Sequence, residues 1–325
     1  MKYPTLRTIQ CLALLGSTGL CLSVLAQDEQ SLETTAPATT AVAAPTGTNQ
    51  VAVAQPSQPI TFIGGWAHQF NTHVDNGGNF SVDRFRVGMN LPVDINDQFS
   101  LAAIARYQVD AYNFGGGLNP WENIETLTLA GLLKYRPDDR WTIYGGPLMR
   151  SSAESGANWG NATRGGGALA ASYVVDDTLT VGAGIIAMAQ LEDNAMVLPI
   201  VTVNWKFADG WRFKVGFTDL TTAGYGAEVA WDIAPDWQLT FGSAFHKSRF
   251  RLDDKGANPN GIGQEKSMTT SAAATWSPNQ HFSATAFFGL AAGGKIRTEN
   301  SGGSELGEES YDTVPFAGLS AKVAF

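Results

Sequence analysis

Four histidines occur in the chain, His68, His73, His246 and His281, and one of them opens the tetrapeptide HKSR, in which Ser248 follows His246 by two residues. On an extended strand that spacing puts imidazole and hydroxyl on one face. A general base needs that placement to activate a serine nucleophile. A third group to orient the histidine is absent from the neighbourhood, and no Gly-X-Ser-X-Gly, His-Glu-X-X-His or Asp-X-His pattern occurs. No two histidines have ligand spacing either. Catalysis, a metal and a cofactor are therefore not expected.

A larger set of residues points to electrostatic rather than bond-making chemistry. Arg84, Arg86, Arg106, Lys134, Arg150, Lys206, Arg212, Lys214 and Lys322 fall on the polar parity of alternating segments, against Asp110, Glu228 and Asp232. If those faces enclose a narrow wet space, their fixed charge raises the local concentration of anions within a Debye length. That chemistry depends on the elements that carry the residues.

The elements read as strands. In 99–111, Phe99, Leu101, Ala103, Ala105, Tyr107, Val109 and Ala111 share one face, opposite Ser100, Arg106, Gln108 and Asp110; 237–246 alternates in the same way. Six short clusters have turn composition: DINDQ at 94–98, RPDDR at 136–140, VDDT at 175–178, ADGW at 208–211, APDW at 234–237 and SPNQ at 277–280. Between them lie pairs of alternating segments joined by connections that are mostly longer, such as LDDKGANPNGIGQEK and KIRTENSGGSELGEES. Tight turns at one end and long loops at the other predict an all-β, transmembrane, antiparallel up-and-down barrel. The expected strands are 60–70, 80–93, 99–112, 124–135, 141–150, 166–175, 179–191, 196–207, 211–219, 224–233, 237–250, 266–276, 281–294 and 312–325. They number about fourteen, with twelve and sixteen as the neighbouring counts.

Soluble sandwiches alternate too, so the aromatic residues decide. Phe99, Tyr135, Trp141, Tyr173, Trp205, Phe207, Trp211, Trp231, Trp237, Trp276, Phe282 and Phe325 all lie on the apolar parity within a few residues of a tight turn or of the C-terminus. Rings gathered at one end of every hairpin describe the belt at a lipid–water interface. The first 26 residues fit this location. Lys2 and Arg7 precede an apolar stretch from Cys11 to Leu25, and Val24 and Ala26 suit a cleavage site, which predicts a secretory signal peptide. Its removal would take both cysteines, Cys11 and Cys21, and two positive charges from a chain whose formal charge is already −9. Nucleic acid is therefore not an expected partner. Residues 27–58, rich in Ala, Thr, Pro and Gln, carry neither period and predict a disordered periplasmic leader to a barrel domain at 59–325.

The closing FAGLSAKVAF, with Leu319, Ala321, Val323 and the final Phe325, resembles the C-terminal signal of Gram-negative outer-membrane barrels. The resemblance implies an uncharacterised barrel family in the outer membrane, in contact with the lipid bilayer, and recognition of the last strand by the barrel-assembly machinery. The walls 166–184 and 266–291 are small on the inward parity, which predicts an unfilled lumen and a porin-like, mildly cationic channel for small solutes. The main alternative comes from Ile186, Met188, Leu198 and Ile200, apolar on the inward parity around Pro199, which cannot donate a ladder hydrogen bond. A gap beside a greasy patch suits hydrophobic solutes, and the strand count resembles that of the fatty-acid transporter barrels. A closed structural barrel held by paired inward charges is the third reading.

Overall fold

The computed structural model describes residues 59–218 and 224–325, so the expected signal peptide and leader lie outside the described residues. The strands in chain order are β1 Thr61–His73, β2 Asn79–Asp94, β3 Phe99–Gly115, β4 Ile124–Tyr135, β5 Trp141–Glu154, β6 Thr163–Asp176, β7 Leu179–Gln190 and β8 Asp193–Ala208. They continue as β9 Trp211–Thr218, β10 Gly224–Ala234, β11 Trp237–Arg251, β12 Ile262–Asn279, β13 Phe282–Glu299, β14 Glu305–Tyr311 and β15 Val314–Ala324. One helical turn, α1 (Trp159–Ala162), lies between β5 and β6.

Short turns hold the hairpins at one end because an Asx side chain takes up their backbone donors. Asn96 Oδ1 accepts from the N–H groups of Gln98 and Phe99, Asp138 Oδ1 from Arg140 and Trp141, and Asp176 Oδ1 from Thr178 and Leu179. Between these turns each strand through β13 pairs antiparallel with its sequence neighbours. The ring closes where β1 pairs with β15, from Thr61 opposite Ala324 to Gln69 opposite Phe316, and the Phe325 N–H donates to the Ile60 carbonyl at 2.9 Å. β14 and β15 both lie along β13, one on Gly294–Glu299 and the other on Phe282–Ala291, so together they make one pass and the barrel has fourteen.

Several strands run past their expected ends at the loop end. β12 begins at Ile262, and the connection expected between 294 and 312 is a hairpin, β13–β14, standing above the wall. Its charges hide an alternating pattern: Lys295 and Lys266 bond Glu308, and Arg297 pairs with Glu305. Cross-strand charge pairs of this kind support a ladder with few apolar residues.

The outer face is apolar. Phe85, Val87, Leu101, Leu169, Ile185, Val197, Val201, Phe241, Phe288 and Leu319 are all exposed there. At the turn end aromatic residues of the same and of neighbouring strands meet. Phe99 stacks on Tyr135 at 4.6 Å, Trp211 on Trp231 at 5.0 Å, Trp141 meets Tyr173, Trp205 meets Phe207, Trp276 meets Phe282, and Phe325 meets Phe62. Trp237 pairs across the ladder with Trp276. A sheet closed on itself with an apolar exterior and aromatic rings at one rim is the membrane-spanning solution to backbone hydrogen bonding.

The core lies inside the ring and is largely at the loop end. Phe80, Val82, Trp121, Ile124, Phe250, Tyr311, Val314 and Phe316 form one buried cluster. Ile104, Leu132, Leu148, Ile186, Met188, Met196, Leu198, Ile200 and Phe217 belong to a second. The expectation that the small wall at 266–291 leaves empty space fails in this half of the barrel. A Cβ on Gly289 would lie 2.6 Å from Phe316 Cζ, and one on Gly318 would lie 2.4 Å from Phe287 Cζ. These glycines receive rings from adjacent strands rather than water.

Candidate functional site: the barrel lumen

At the turn end the interior is open. A cavity of about 1050 Å³ is lined by Arg84, Arg86, Arg106, Lys206, Arg212, Lys214 and Lys322, with Glu228 and Asp232 among them. Asp209 and Asp236 add two more carboxylates, and the rest of the wall mixes neutral polar groups, among them Ser172, Thr202, Asn204, Gln238, Thr240, Thr275, Ser283 and Thr285, with apolar ones such as Ile63, Tyr144, Val215, Phe287 and Leu319. Parity explains the set, because successive inward residues of a strand stand two apart. Of the inward charged residues expected from the sequence, Lys134, Arg150 and Asp110 do not line this cavity. Lys134 is buried with its ammonium 5.9 Å from the centre of the Tyr144 ring, and Asp110 is buried above the cavity.

Cross-strand partners hold the cationic side chains in place. Arg212 Nη2 donates to both carboxylate oxygens of Asp232 at 3.0 Å, and Lys214 sits 3.9 Å from its register partner Glu228. Arg86 Nε donates to Gln108 Oε1 at 3.1 Å. Arg106 Nη1 donates to the Met89 carbonyl at 2.9 Å, and its side chain lies over Gly88, where a Cβ would come within 2.3 Å of Arg106 Cδ.

The cavity ends at a buried ion cluster. Arg84 Nη2 donates to Glu265 at 3.0 and 2.9 Å, and Arg84 Nη1 lies 3.5 Å from Asp110. Gln108 Nε2 donates to both oxygens of Asp110, while the hydroxyls of Tyr112 and Tyr311 donate to the two oxygens of Glu265. Glu265 comes from β12 and Arg84 from β2, strands separated in the ring by β13, β15 and β1. The cluster therefore ties walls that share no ladder. His246 and Ser248 lie nearby and are buried, but neither ring nitrogen of His246 has a hydrogen-bond partner, so the serine is not held by a base.

Above the cluster the mouth is drawn together. Ala153 of β5 bridges Arg251 of β11, although five strands lie between them on one side of the ring. Trp121, from the β3–β4 connection, is buried with its ring edge-on to Phe250 at 5.0 Å. Glu154 accepts from the backbone N–H groups of Glu122 and Asp253. The tip of the β7–β8 hairpin folds onto β11: the Leu191 carbonyl accepts from Arg249 Nη2 at 2.8 Å, and Glu192 accepts from Arg251. That hydrogen bond, reinforced by the charges of Arg251, Arg164 and Arg249, holds the Glu192 carboxyl below its usual range. Arg249 also donates to both oxygens of Glu299 at 2.8 and 2.6 Å.

The sequence reading missed Glu265, Trp121, Arg249 and Arg251. Glu265 could have been found by parity, since it stands at even spacing from Thr269, Ser271 and Ala273 on one face of β12. Trp121 carries no such signal. The β8–β9 ladder runs from Ala208 opposite Trp211 to Val203 opposite Val215, and its register would bring Pro199 to residue 219, so the gap expected at Pro199 falls outside the described residues.

No protein-family model matches the chain, and no curated protein sequence does. Among solved structures it is similar to an outer membrane channel from Pseudomonas putida F1, at 10% identity and a TM-score of 0.46, covering 86% of this chain and 100% of that one. The P. putida toluene transporter TodX gives 9% identity and a TM-score of 0.41 over 82% and 90% of the two chains. OmpT, an outer membrane protein of Vibrio cholerae, gives 12% identity and a TM-score of 0.35 over 85% and 100%. The chain is an outer-membrane β-barrel by its own architecture: a closed ring of strands, an apolar exterior and an aromatic girdle.

Proposed function

We propose that the barrel is a channel for the passive passage of small solutes, with its turn end and N-terminal leader in the periplasm. A solute enters there through the cationic vestibule and meets its constriction at the Arg84–Glu265 layer. The observation that carries the reading is the cavity of about 1050 Å³, net cationic in its charged side chains, inside a barrel of fourteen passes. Barrels of ~8 strands are filled by side chains and those of ~16–18 hold water. Here one half follows each pattern. The last strand, in this reading, carries the signal by which the assembly machinery inserts the barrel, and no nucleic acid is a partner.

Conductance of the purified protein in a planar bilayer tests the reading, with stepwise openings expected and persistent silence against it. Arg86, Arg106 and Lys322 line the vestibule, so changing all three to Gln is expected to move the reversal potential in a salt gradient away from anion preference. The difference should shrink in ~1 M salt, where the Debye length is about 3 Å. An unmoved reversal potential at normal conductance would mean that these charges do not select ions.

A further inference from the structure

His68 and Asp83 interrupt the apolar outer wall. They stand opposite each other in the β1–β2 ladder. Parity turns them outward: Ala67 and Gln69 on either side of His68 are buried, whereas Trp66 and Phe70 on its own face are exposed at 40% and 47%. Ala317, the partner of His68 on β15, precedes the girdle residue Phe325 by eight residues, and Asp83 precedes Asp94, at the turn end of β2, by eleven. At ~3.3 Å per residue and a strand tilt of ~40°, those separations are roughly 20–28 Å along the barrel axis, against an apolar band of ~25 Å. The pair therefore stands at the far edge of the band, where headgroups meet hydrocarbon.

One oxygen of Asp83 takes both neighbouring donors. Trp66 Nε1 donates to Oδ1 at 3.0 Å, and His68 Nδ1 lies 3.0 Å from the same atom. A carboxylate only accepts, which assigns the His68 proton to Nδ1 and leaves Nε2 of the neutral ring as an acceptor. Asp83 Oδ2 and His68 Nε2 take no hydrogen bond among the described residues. The imidazole lies between two rings, with Trp66 stacked at 6.4 Å and Phe70 edge-on at 4.9 Å. Glu125, outward on β4, differs: its two oxygens are taken by the hydroxyls of Tyr107 and Ser155 at 2.8 and 2.7 Å. No counter-charge faces outward here. Residues 61–83 and 107–133 contain neither Lys nor Arg, and Arg84, Arg86 and Arg106 line the lumen. Two acceptors, one of them anionic, beside exposed aromatic rings suit a group that brings several N–H donors and a positive charge.

We propose that Trp66, His68, Phe70 and Asp83 form a docking site for the primary ammonium of a lipid headgroup in the leaflet at the loop end. The ammonium donates to Asp83 Oδ2 and His68 Nε2 against the face of the Trp66 indole, and the acyl chains run down the apolar wall past Phe85 and Val87. The site needs the barrel in a membrane and does not depend on conduction through it.

The test measures lipid retained by the purified protein in detergent, by native mass spectrometry, after exposure to equal amounts of phosphatidylethanolamine, its N-acetyl derivative and phosphatidylglycerol with the same acyl chains. Phosphatidylethanolamine should be retained several-fold over the other two. Asp83→Asn should bring it down to their level, and Glu125→Gln should leave the preference unchanged, with heat-modifiable migration on gels showing that each variant is folded. If Asp83→Asn fails to fold, the comparison of the amine with its N-acetyl form on the parent protein decides alone. Equal retention of those two lipids by the parent would overturn the site, as would a preference for the amine that survives Asp83→Asn in a folded barrel. Phosphatidylglycerol retained equally would overturn it too: release by EDTA would then mean a divalent cation at Asp83, and persistence in EDTA a hydroxyl ligand.

Discussion

Glu265 shows how far a single residue was legible. Parity on β2 and β3 put Arg84 and Asp110 inside, and continuing it two steps outward puts Phe80, Tyr112 and Phe114 there as well, where the structure has them. Glu265 escaped because it sits in a run of glycines and charges with loop composition. Its carboxylate is fully buried and takes hydrogen bonds from Arg84, Tyr112 and Tyr311. Removing one partner of a buried pair costs about 3–5 kcal/mol because the other charge is left uncompensated. Glu265→Gln is therefore expected to lower the temperature at which the folded gel band converts to the unfolded one. The double variant with Arg84→Gln should recover much of the loss, a coupling that a double-mutant cycle measures. Additive losses would mean that the two side chains stabilise the barrel separately.

At the scale of elements, strands and turns were legible because the membrane imposes both the alternation and the girdle, so the thirteenth and fourteenth strands were placed even though their tops were read as loop. The closure of the mouth was not legible. It rests on contacts such as Arg251 with Glu192, 59 residues apart in the chain, which no local pattern announces. Under the channel reading this contact latches the β7–β8 tip. Glu192 has a lowered pKa when folded, so the contact is complete at neutral pH and is lost as the pH falls through that lowered value. Acidification below the ordinary carboxylate range should raise the mean conductance, and Arg251→Gln should raise it at neutral pH and flatten the acid response. An acid response unchanged in Arg251→Gln would place the sensor elsewhere.

For the whole molecule, the count of fourteen passes followed from six turns and an even ring, whereas the division of the lumen into an open and a filled half needed three dimensions. An epitope placed at 300–304 should be labelled on intact cells and one at 138–139 should not; the opposite result would invert the barrel. The ring itself closes through Thr61 and Ala324, the pair most distant in sequence of any in the sheet. Contacts of such separation carry a large loop-closure entropy and are slow to form. Until β15 meets β1, both are bare edges of an apolar sheet and open to pairing with other chains. The last event of folding is therefore also the one that ends the hazard of aggregation, and its position is a property of connectivity rather than of shape. Refolded in detergent micelles, where no assembly signal is read, a permuted chain of residues 59–325, joined from Phe325 to Pro59 through a short linker and opened at Asp138–Asp139, would build the same ring. Its late step would move from the β1–β15 junction to the β4–β5 junction, and substitutions that weaken the β1–β15 pairing should then slow assembly less than they do in the natural order.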